Sequence, residues 1–172
     1  MSFLTRIFGD RKKRAALDPL YRRVVEAGRD PFWYRDGSVP DTLDGRFDVL
    51  ASLLALVLLR IEQEGEAGRR PAVLLTEVFI DDMDGTVRQM GIGDQVVGKH
   101  VGRMMSALGG RLAAYRDARG EDAAFAAAVR RNLFRGAPPS EDGAALATAR
   151  LAAFRDGLGA GTFAGLLSGR LP

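Results

Sequence analysis

The clearest pattern in the chain is an apolar stripe with helical spacing between residues 47 and 61. Its members recur at steps of three and four: Phe47, Leu50, Leu53, Leu54, Val57, Leu58 and Ile61. This spacing predicts a long core helix, with Thr42 as its candidate N-terminal cap and Gly65 as its stop. The continuous apolar run, Val49 to Leu59, is too short for a membrane span of about 20 residues.

Upstream of this stripe, Asp18-Pro19 is typical of a helix start, with the carboxylate as the cap and proline in the first turn. Tyr21 and Val24 mark the buried face that this helix is expected to present, and Gly28 ends it. The following segment, residues 29–45, is rich in Pro, Gly and Asp and predicts a loop.

Downstream, a helix is expected to begin after Pro71 and to run into an acidic corner. Gly91 and Gly93 then permit a turn, and Asp94 is the candidate cap of the next helix. That helix carries one apolar stripe, formed by Val97, Val101, Met104, Met105, Leu108, Leu112 and Tyr115.

Two further helices are expected, one around Val129 and an Ala-rich one around Leu151, whereas the Gly-rich tail from Gly157 is loosely specified. Because no alternating pattern typical of strands occurs, the predicted fold is all-α, a single compact multi-helix domain. We divide it into an amphipathic basic segment (1–16), a helical core (17–135) and an Ala/Gly-rich helical extension (136–172).

Composition narrows the function. The 172 residues include no cysteine and a single histidine, His100, and carry a formal net charge of +3. Disulfides and cysteine nucleophiles are therefore excluded, and multi-histidine metal sites are excluded as well. Few catalytic residue types favour a binding protein without a cofactor, and the lack of cysteine is consistent with a cytoplasmic location.

The N-terminal segment combines an apolar face with a basic run. The residues concerned are Phe3, Leu4, Ile7, Phe8, Arg11, Lys12, Lys13 and Arg14. A short helix of this kind is typical of peripheral contact with an anionic membrane surface, here the inner face of the cytoplasmic membrane. RNA or the ribosome is an alternative partner for the same charges, and a solvated charged tail is the non-functional interpretation.

The stretch DDMDGTVRQMGIGDQVVGKH partly matches three short motifs. An EF-hand loop fails because Ile80 and Gly91 would take ligand positions. A dinucleotide turn lacks its third glycine, and a phosphate loop has His100 where Ser or Thr is needed. A magnesium- or nucleotide-binding enzyme built on Asp81, Asp84 and Lys99 is therefore the less favoured alternative.

The loop sequence DPFWYRDGSVP contains three adjacent aromatic residues, which form either a small core or a binding surface. We expect Phe32 and Tyr34 to insert among the helices and Trp33 to be more accessible. Met104 and Met105 are expected to add apolar surface for a client.

The segments VPDTLDGRFDVL, FIDDMDGTVRQMGIGDQVVGKHV and GGRLAAYRDA, in this order and spacing, resemble the ubiquinol–cytochrome c chaperone family. The resemblance implies an all-helical, non-enzymatic assembly factor for respiratory complex III, in the form of a bacterial member. Its implied client is cytochrome b or another complex III subunit, its family works with a partner near the ribosome, and no small-molecule substrate is implied.

Within these segments we expect specific contacts between distant residues. Arg46, beside a buried Phe47, is predicted to pair with an acidic residue from another segment, with Asp82 and Asp84 as the candidates. Arg46, Asp82 and Asp84 are also candidate client-binding residues. Two other residues, Arg111 and Tyr115, share a face of their helix and are candidate client-binding residues. Gly109 and Gly110 interrupt the same helix, so Gly110 is expected to face a neighbouring helix.

Overall fold

The predicted core helix lies at the centre of the molecule. A computed structural model describes residues 14–89 and 94–172, and these residues fold into helices joined by short connections, with no strand among them. In chain order the helices are α1 (Asp18–Gly28), α2 (Phe32–Arg35), α3 (Leu43–Glu62), α4 (Glu66–Gln89), α5 (Asp94–Asp117), α6 (Asp122–Phe134), α7 (Glu141–Ala160) and α8 (Phe163–Leu167).

Helix α3 packs against α1, α4, α5, α6 and α7. Its residues from Val49 to Leu59 are almost all buried, because neighbouring helices cover it on every side. A helix that is apolar all round is stable in water only when it is enclosed in this way. The all-α fold is therefore confirmed, and α7 from the predicted extension packs against α3 and α6.

Helix starts follow the polar residues only in part. Thr42 caps α3 as predicted, since its side chain accepts a hydrogen bond from the backbone N–H of Gly45. Asp18 does not cap α1, however. Leu17 occupies that position and Asp18 is the first helical residue, where its charge interacts favourably with the helix dipole.

Helix α4 differs from its predicted bounds. It begins at Glu66, five residues before Pro71, directly after a turn in which Gly65 has a φ of 59°. Pro71 therefore lies inside the helix, in its second turn, where it has no N–H to donate to the carbonyl four residues earlier. The helix continues to Gln89, so the predicted acidic corner is a helix face; the glycine turn at Gly91 and Gly93 lies outside the described residues.

The tail from Gly157 is ordered, contrary to the prediction. Helix α7 continues through it to Ala160, and α8 follows after a cap by Thr162. Leu158 and Leu166 are buried, and Arg60 of α3 donates hydrogen bonds to the carbonyl of Leu158 and to that of Gly161. These long-range contacts fix the conformation of the tail, and they cannot be read from its glycine-rich composition.

None of the helices in the described ranges is both long enough and apolar enough to cross a membrane.

Candidate functional site

The first turns of α3, residues 42–48, contact several separate parts of the chain. Asp44 pairs with Arg135 beyond α6, and Arg46 pairs with Asp41 in the preceding loop. Gly45 lies so close to the backbone of Pro40 that a Cβ there would collide with the carbonyl oxygen. We call residues 42–48 the α3 start.

A buried ion pair holds the α3 start to α5. Arg111 donates from Nη2 to Oδ1 of Asp48 at 2.5 Å, and it also donates to the carbonyls of Ala107 and Asn132. Burial raises the pKa of the Asp48 carboxyl, although the nearby guanidinium groups of Arg111 and Arg135 act in the opposite direction. The pair thus links α3, α5 and α6.

The polar contacts continue along α3. The hydroxyl of Tyr115 donates to Oγ of Ser52 at 3.0 Å, and Ser52 donates to the carbonyl of Asp48 at 2.7 Å. Burial also raises the pKa of Tyr115. Two residues expected to bind a client, Arg111 and Tyr115, therefore lie in the interior, where they belong with Asp48 and Ser52 to one buried network.

The predicted helix contact at Gly110 is wrong. Both Gly109 and Gly110 are exposed, and a Cβ added at either position would meet nothing within 4 Å. The interior face of α5 is instead formed by Leu108, Arg111 and Tyr115, and the two glycines point away from it.

The predicted partners of Arg46 are also wrong. Arg46 lies on the outside, where Nε donates to Asp41 at 2.7 Å and the guanidinium carbon sits 5.4 Å from the ring centroid of Tyr34. Asp82 accepts instead from the hydroxyl of Tyr21, at 2.7 Å, and Asp84 pairs within α4 with Arg88.

Phe47 is only partly buried, so its predicted burial is confirmed in part. Its ring lies 6.4 Å from that of Phe79 on α4, and the guanidinium carbon of Arg111 lies 5.7 Å from its centroid. It therefore covers the buried ion pair between Asp48 and Arg111 from the α4 side.

Helix α2 reverses the expected split among the aromatic residues. Trp33 is the buried one, and its ring N–H donates to the carbonyl of Ala27 at 2.8 Å. The hydroxyl of Tyr34 donates to the carbonyl of Gly28 at 2.7 Å, while Phe32 and Tyr34 remain half-buried. The last carbonyls of α1 lack intrahelical partners, so donors on α2 satisfy them and orient its rings.

Arginines cover the half-buried rings of α2. Arg150 of α7 places its guanidinium carbon 5.1 Å from the centroid of Phe32 and pairs with Asp30 at 3.0 Å, just as Arg46 covers Tyr34 and pairs with Asp41. Arg150 was not among the residues predicted for a binding site, because nothing near it in the sequence links it to a ring 118 positions earlier.

Exposed leucines flank this arrangement. Leu43 (62% exposed) lies one turn before Arg46, and Leu146 (49% exposed) lies one turn before Arg150. Residues one turn apart share a helix face, so each leucine neighbours an arginine that covers a ring. We call the set formed by Phe32, Tyr34, Leu43, Arg46, Leu146 and Arg150 the α2 surface.

The remaining candidate residues lie elsewhere. Met104 and Met105 are half-buried on α5 and pack against the interior cluster. Of the predicted membrane-contact residues, Phe3, Leu4, Ile7, Phe8, Arg11, Lys12 and Lys13 lie outside the described residues. Arg14 is described, and it pairs with Glu77 at 3.2 Å and with Asp81 on α4.

The acidic face of α4 does not assemble a metal site with other parts of the described chain. Over residues 14–89 and 94–172, no group of three or more His, Cys, Asp or Glu side chains is placed to hold a metal ion. Several of the carboxylates on this face instead accept from Arg14, Tyr21 and Arg88.

Comparison with known proteins gives two matches. The family model described as ubiquinol-cytochrome C chaperone matches residues 35–161. A crystal structure of the Cbp3 homolog from Brucella abortus is similar with a TM-score of 0.78 and 29% sequence identity, over 98% of this chain and 95% of that one. Among curated proteins, none matches.

Proposed function

This chain belongs to the ubiquinol-cytochrome C chaperone family, and we propose that it holds cytochrome b, or another apolar intermediate of complex III, at its α2 surface. A chaperone role in complex III assembly follows from membership, and it implies a protein client and a non-enzymatic function. The identity of the client, and contact with it at the inner face of the cytoplasmic membrane, are parts of the proposal.

The observation that carries the choice of surface is the way in which the rings of Phe32 and Tyr34 are covered. Each ring face is covered by an arginine that is also paired with an exposed or half-exposed carboxylate. An exposed cation–π contact contributes about 0.5–1 kcal/mol, and an exposed ion pair about 0–1 kcal/mol. Arginines held this weakly swing aside readily, and doing so uncovers aromatic surface beside Leu43 and Leu146.

The composition of the α2 surface suits a protein client. Aromatic residues and arginine are enriched at protein interfaces, because they combine apolar area with directed polar contacts. Helix α2, which carries the two rings, is held in place because Trp33 is buried and hydrogen-bonded to α1. A surface that is already ordered loses less conformational entropy when it binds a partner.

Site-specific photocrosslinking in native membranes tests the proposal. A photoreactive residue is placed at Leu43 or at Leu146, and, as a matched control, at Val73, an aliphatic residue of α4 that is 58% exposed. We expect complex III subunits, cytochrome b among them, to be captured from the first two positions. Equal capture from Val73, or capture of soluble proteins only, would contradict the proposal.

A further inference from the structure

A cleft of about 190 Å³ lies between the α3 start and the chain around the end of α6. Its walls are mostly apolar, formed by Pro40, Leu133, Phe134, Ala137 and Pro139. Two carboxylates, those of Asp44 and Asp48, open into it, and Arg135 is the one cation among the residues that line it.

The carboxylates of the cleft are incompletely paired. Oδ1 of Asp48 accepts from Arg111, but its Oδ2 accepts no hydrogen bond from the described residues and has Arg135 Nη2 only at 3.9 Å. At this distance the Arg135 guanidinium attracts Oδ2 by charge but makes no direct hydrogen bond to it. The cleft therefore has room and unsatisfied acceptor capacity for a further cationic donor.

Arg135 shows which chemistry the cleft accepts, and it is held loosely. Its guanidinium reaches Asp44 at 2.9 Å while the side chains of both residues are largely exposed, at 70% and 76%. The Arg135 backbone has a φ of 52°, in the left-handed region that disfavours residues other than glycine. An exposed ion pair contributes little toward such a cost.

We propose that this cleft receives an arginine or lysine side chain from a loop of the membrane-protein client, with Arg135 moving aside. The inference rests on the proposed function and adds what part of the client is recognised. Cytoplasmic loops of membrane proteins are rich in Lys and Arg and lie next to apolar segments. A cation flanked by apolar residues matches both the carboxylates and the apolar walls.

The test uses the full chain and two short probe peptides, acetyl-Ala-Leu-Arg-Leu-Ala-amide and the same peptide with neutral citrulline in place of arginine. Binding is followed by NMR shifts of the backbone amides of Asp44, Asp48 and Gly136. We expect the arginine peptide to bind about tenfold more tightly than the citrulline peptide, because only the cation forms charge-assisted hydrogen bonds.

Two variants are expected to change the affinity for the arginine peptide in opposite directions. Asp44→Asn should weaken the arginine peptide several-fold, whereas Arg135→Gly removes the competing cation in a backbone position that glycine favours, and should tighten binding. Glu62→Gln is the control, since Glu62 is an exposed carboxylate paired with Arg116 elsewhere. Circular dichroism checks that each variant folds.

Equal binding of both peptides, or no gain from Arg135→Gly, would overturn the inference. The proposed function has its own readout, the capture of complex III subunits from Leu43 and Leu146. If complex III subunits are captured but the two peptides bind equally, the proposed function is supported and the role of the cleft is rejected. If the arginine peptide binds more tightly and the variants change its affinity as expected, but no complex III subunit is captured, the role of the cleft is supported and the proposed client is rejected.

Discussion

The inner and outer sides of the α3 start use the same residue types in opposite surroundings. On the inner side, Asp48 and Arg111 pair with side chains 10% and 5% exposed, next to Phe47. On the outer side, Asp41 and Arg46 pair with side chains 54% and 57% exposed, next to Tyr34. Each is an acid, an arginine and an aromatic ring.

The difference between them is desolvation. Removing one partner of a buried pair leaves a charge without water or counter-ion, whereas the partner of an exposed pair is simply hydrated. We therefore assign the inner side to stability and the outer side to exchangeable contacts with a client. Substitutions on the two sides are expected to differ in their effect on stability.

Arg111→Met should destabilise the fold by about 3–5 kcal/mol, because it leaves the buried Asp48 carboxylate unpaired. Urea unfolding measures the free energy. Arg116→Met is the matched control on the same helix: its pair with Glu62 is exposed, so its loss should cost about 0–1 kcal/mol.

The double variant Asp48→Leu/Arg111→Met should recover part of that loss, since two apolar side chains leave no buried charge. If Arg111→Met costs no more than Arg116→Met, the inner pair is not desolvated as the structure indicates, and the division between the two sides is lost.

Trp33→Ala should cost about 3–5 kcal/mol, as expected for a buried tryptophan. Because Trp33 is the only tryptophan in the chain, its emission reports on this site alone, and it should be blue-shifted and resistant to iodide quenching. Phe32→Ala, at the half-buried neighbour, should cost clearly less. Red-shifted emission that iodide quenches would show that Trp33 is exposed to solvent.

Gly45→Ala should destabilise by about 1–3 kcal/mol, because the added methyl group collides with the carbonyl oxygen of Pro40. Gly110→Ala is the matched control in a helix with open space, and it should stabilise by up to about 1 kcal/mol through helix propensity. Thermal melts of the two variants should therefore shift in opposite directions, and shifts in the same direction would contradict the close approach at Gly45.

The sequence predicts the helices better than it predicts what they contact. The apolar stripe of α3 and the cap at Thr42 depend on neighbouring residues alone, and both are confirmed. The pair of Asp48 with Arg111 joins positions 63 apart. The local signal was present, as a charged residue within the apolar face of each helix, but spacing along one helix does not identify a partner on another.

The aromatic helix shows the same limit. Three adjacent rings correctly indicated a mixture of core and surface, but the choice of Trp33 as the buried ring depends on carbonyls at the end of α1. Likewise, the two arginines that cover the rings, Arg46 and Arg150, come from different helices. Residues of the candidate site are therefore visible in the sequence one by one, and only the fold brings them together.

The titration of Asp48 gives a smaller effect with a definite sign. Burial raises the pKa of this carboxyl in the folded state above its ordinary 3.8. The carboxyl therefore holds its proton more tightly in the folded chain than in the unfolded chain, so its ionisation costs stability above the folded-state pKa, and that cost disappears as the pH falls toward 3.8. Carbon-13 NMR of the carboxyl measures this pKa, which should rise further in Arg111→Met because that variant lacks the cation opposing the shift. A pKa below the ordinary value would show that the ion pair outweighs burial.

Arg46→Ala should change the free energy of unfolding least, by about 0–1 kcal/mol, because its pair with Asp41 is exposed. The informative measurement is client capture from a photoreactive residue at Leu43. If Arg46 covers the ring of Tyr34 only until a client displaces it, the variant uncovers that ring permanently, and the yield of captured complex III subunits should equal or exceed that of the unaltered chain. Tyr34→Ala is the counterpart, and it should lower the yield because the aromatic surface itself is missing. A lower yield from Arg46→Ala would mean that the guanidinium contacts the client directly, and the outer pair would then be part of the interface instead of its removable cover.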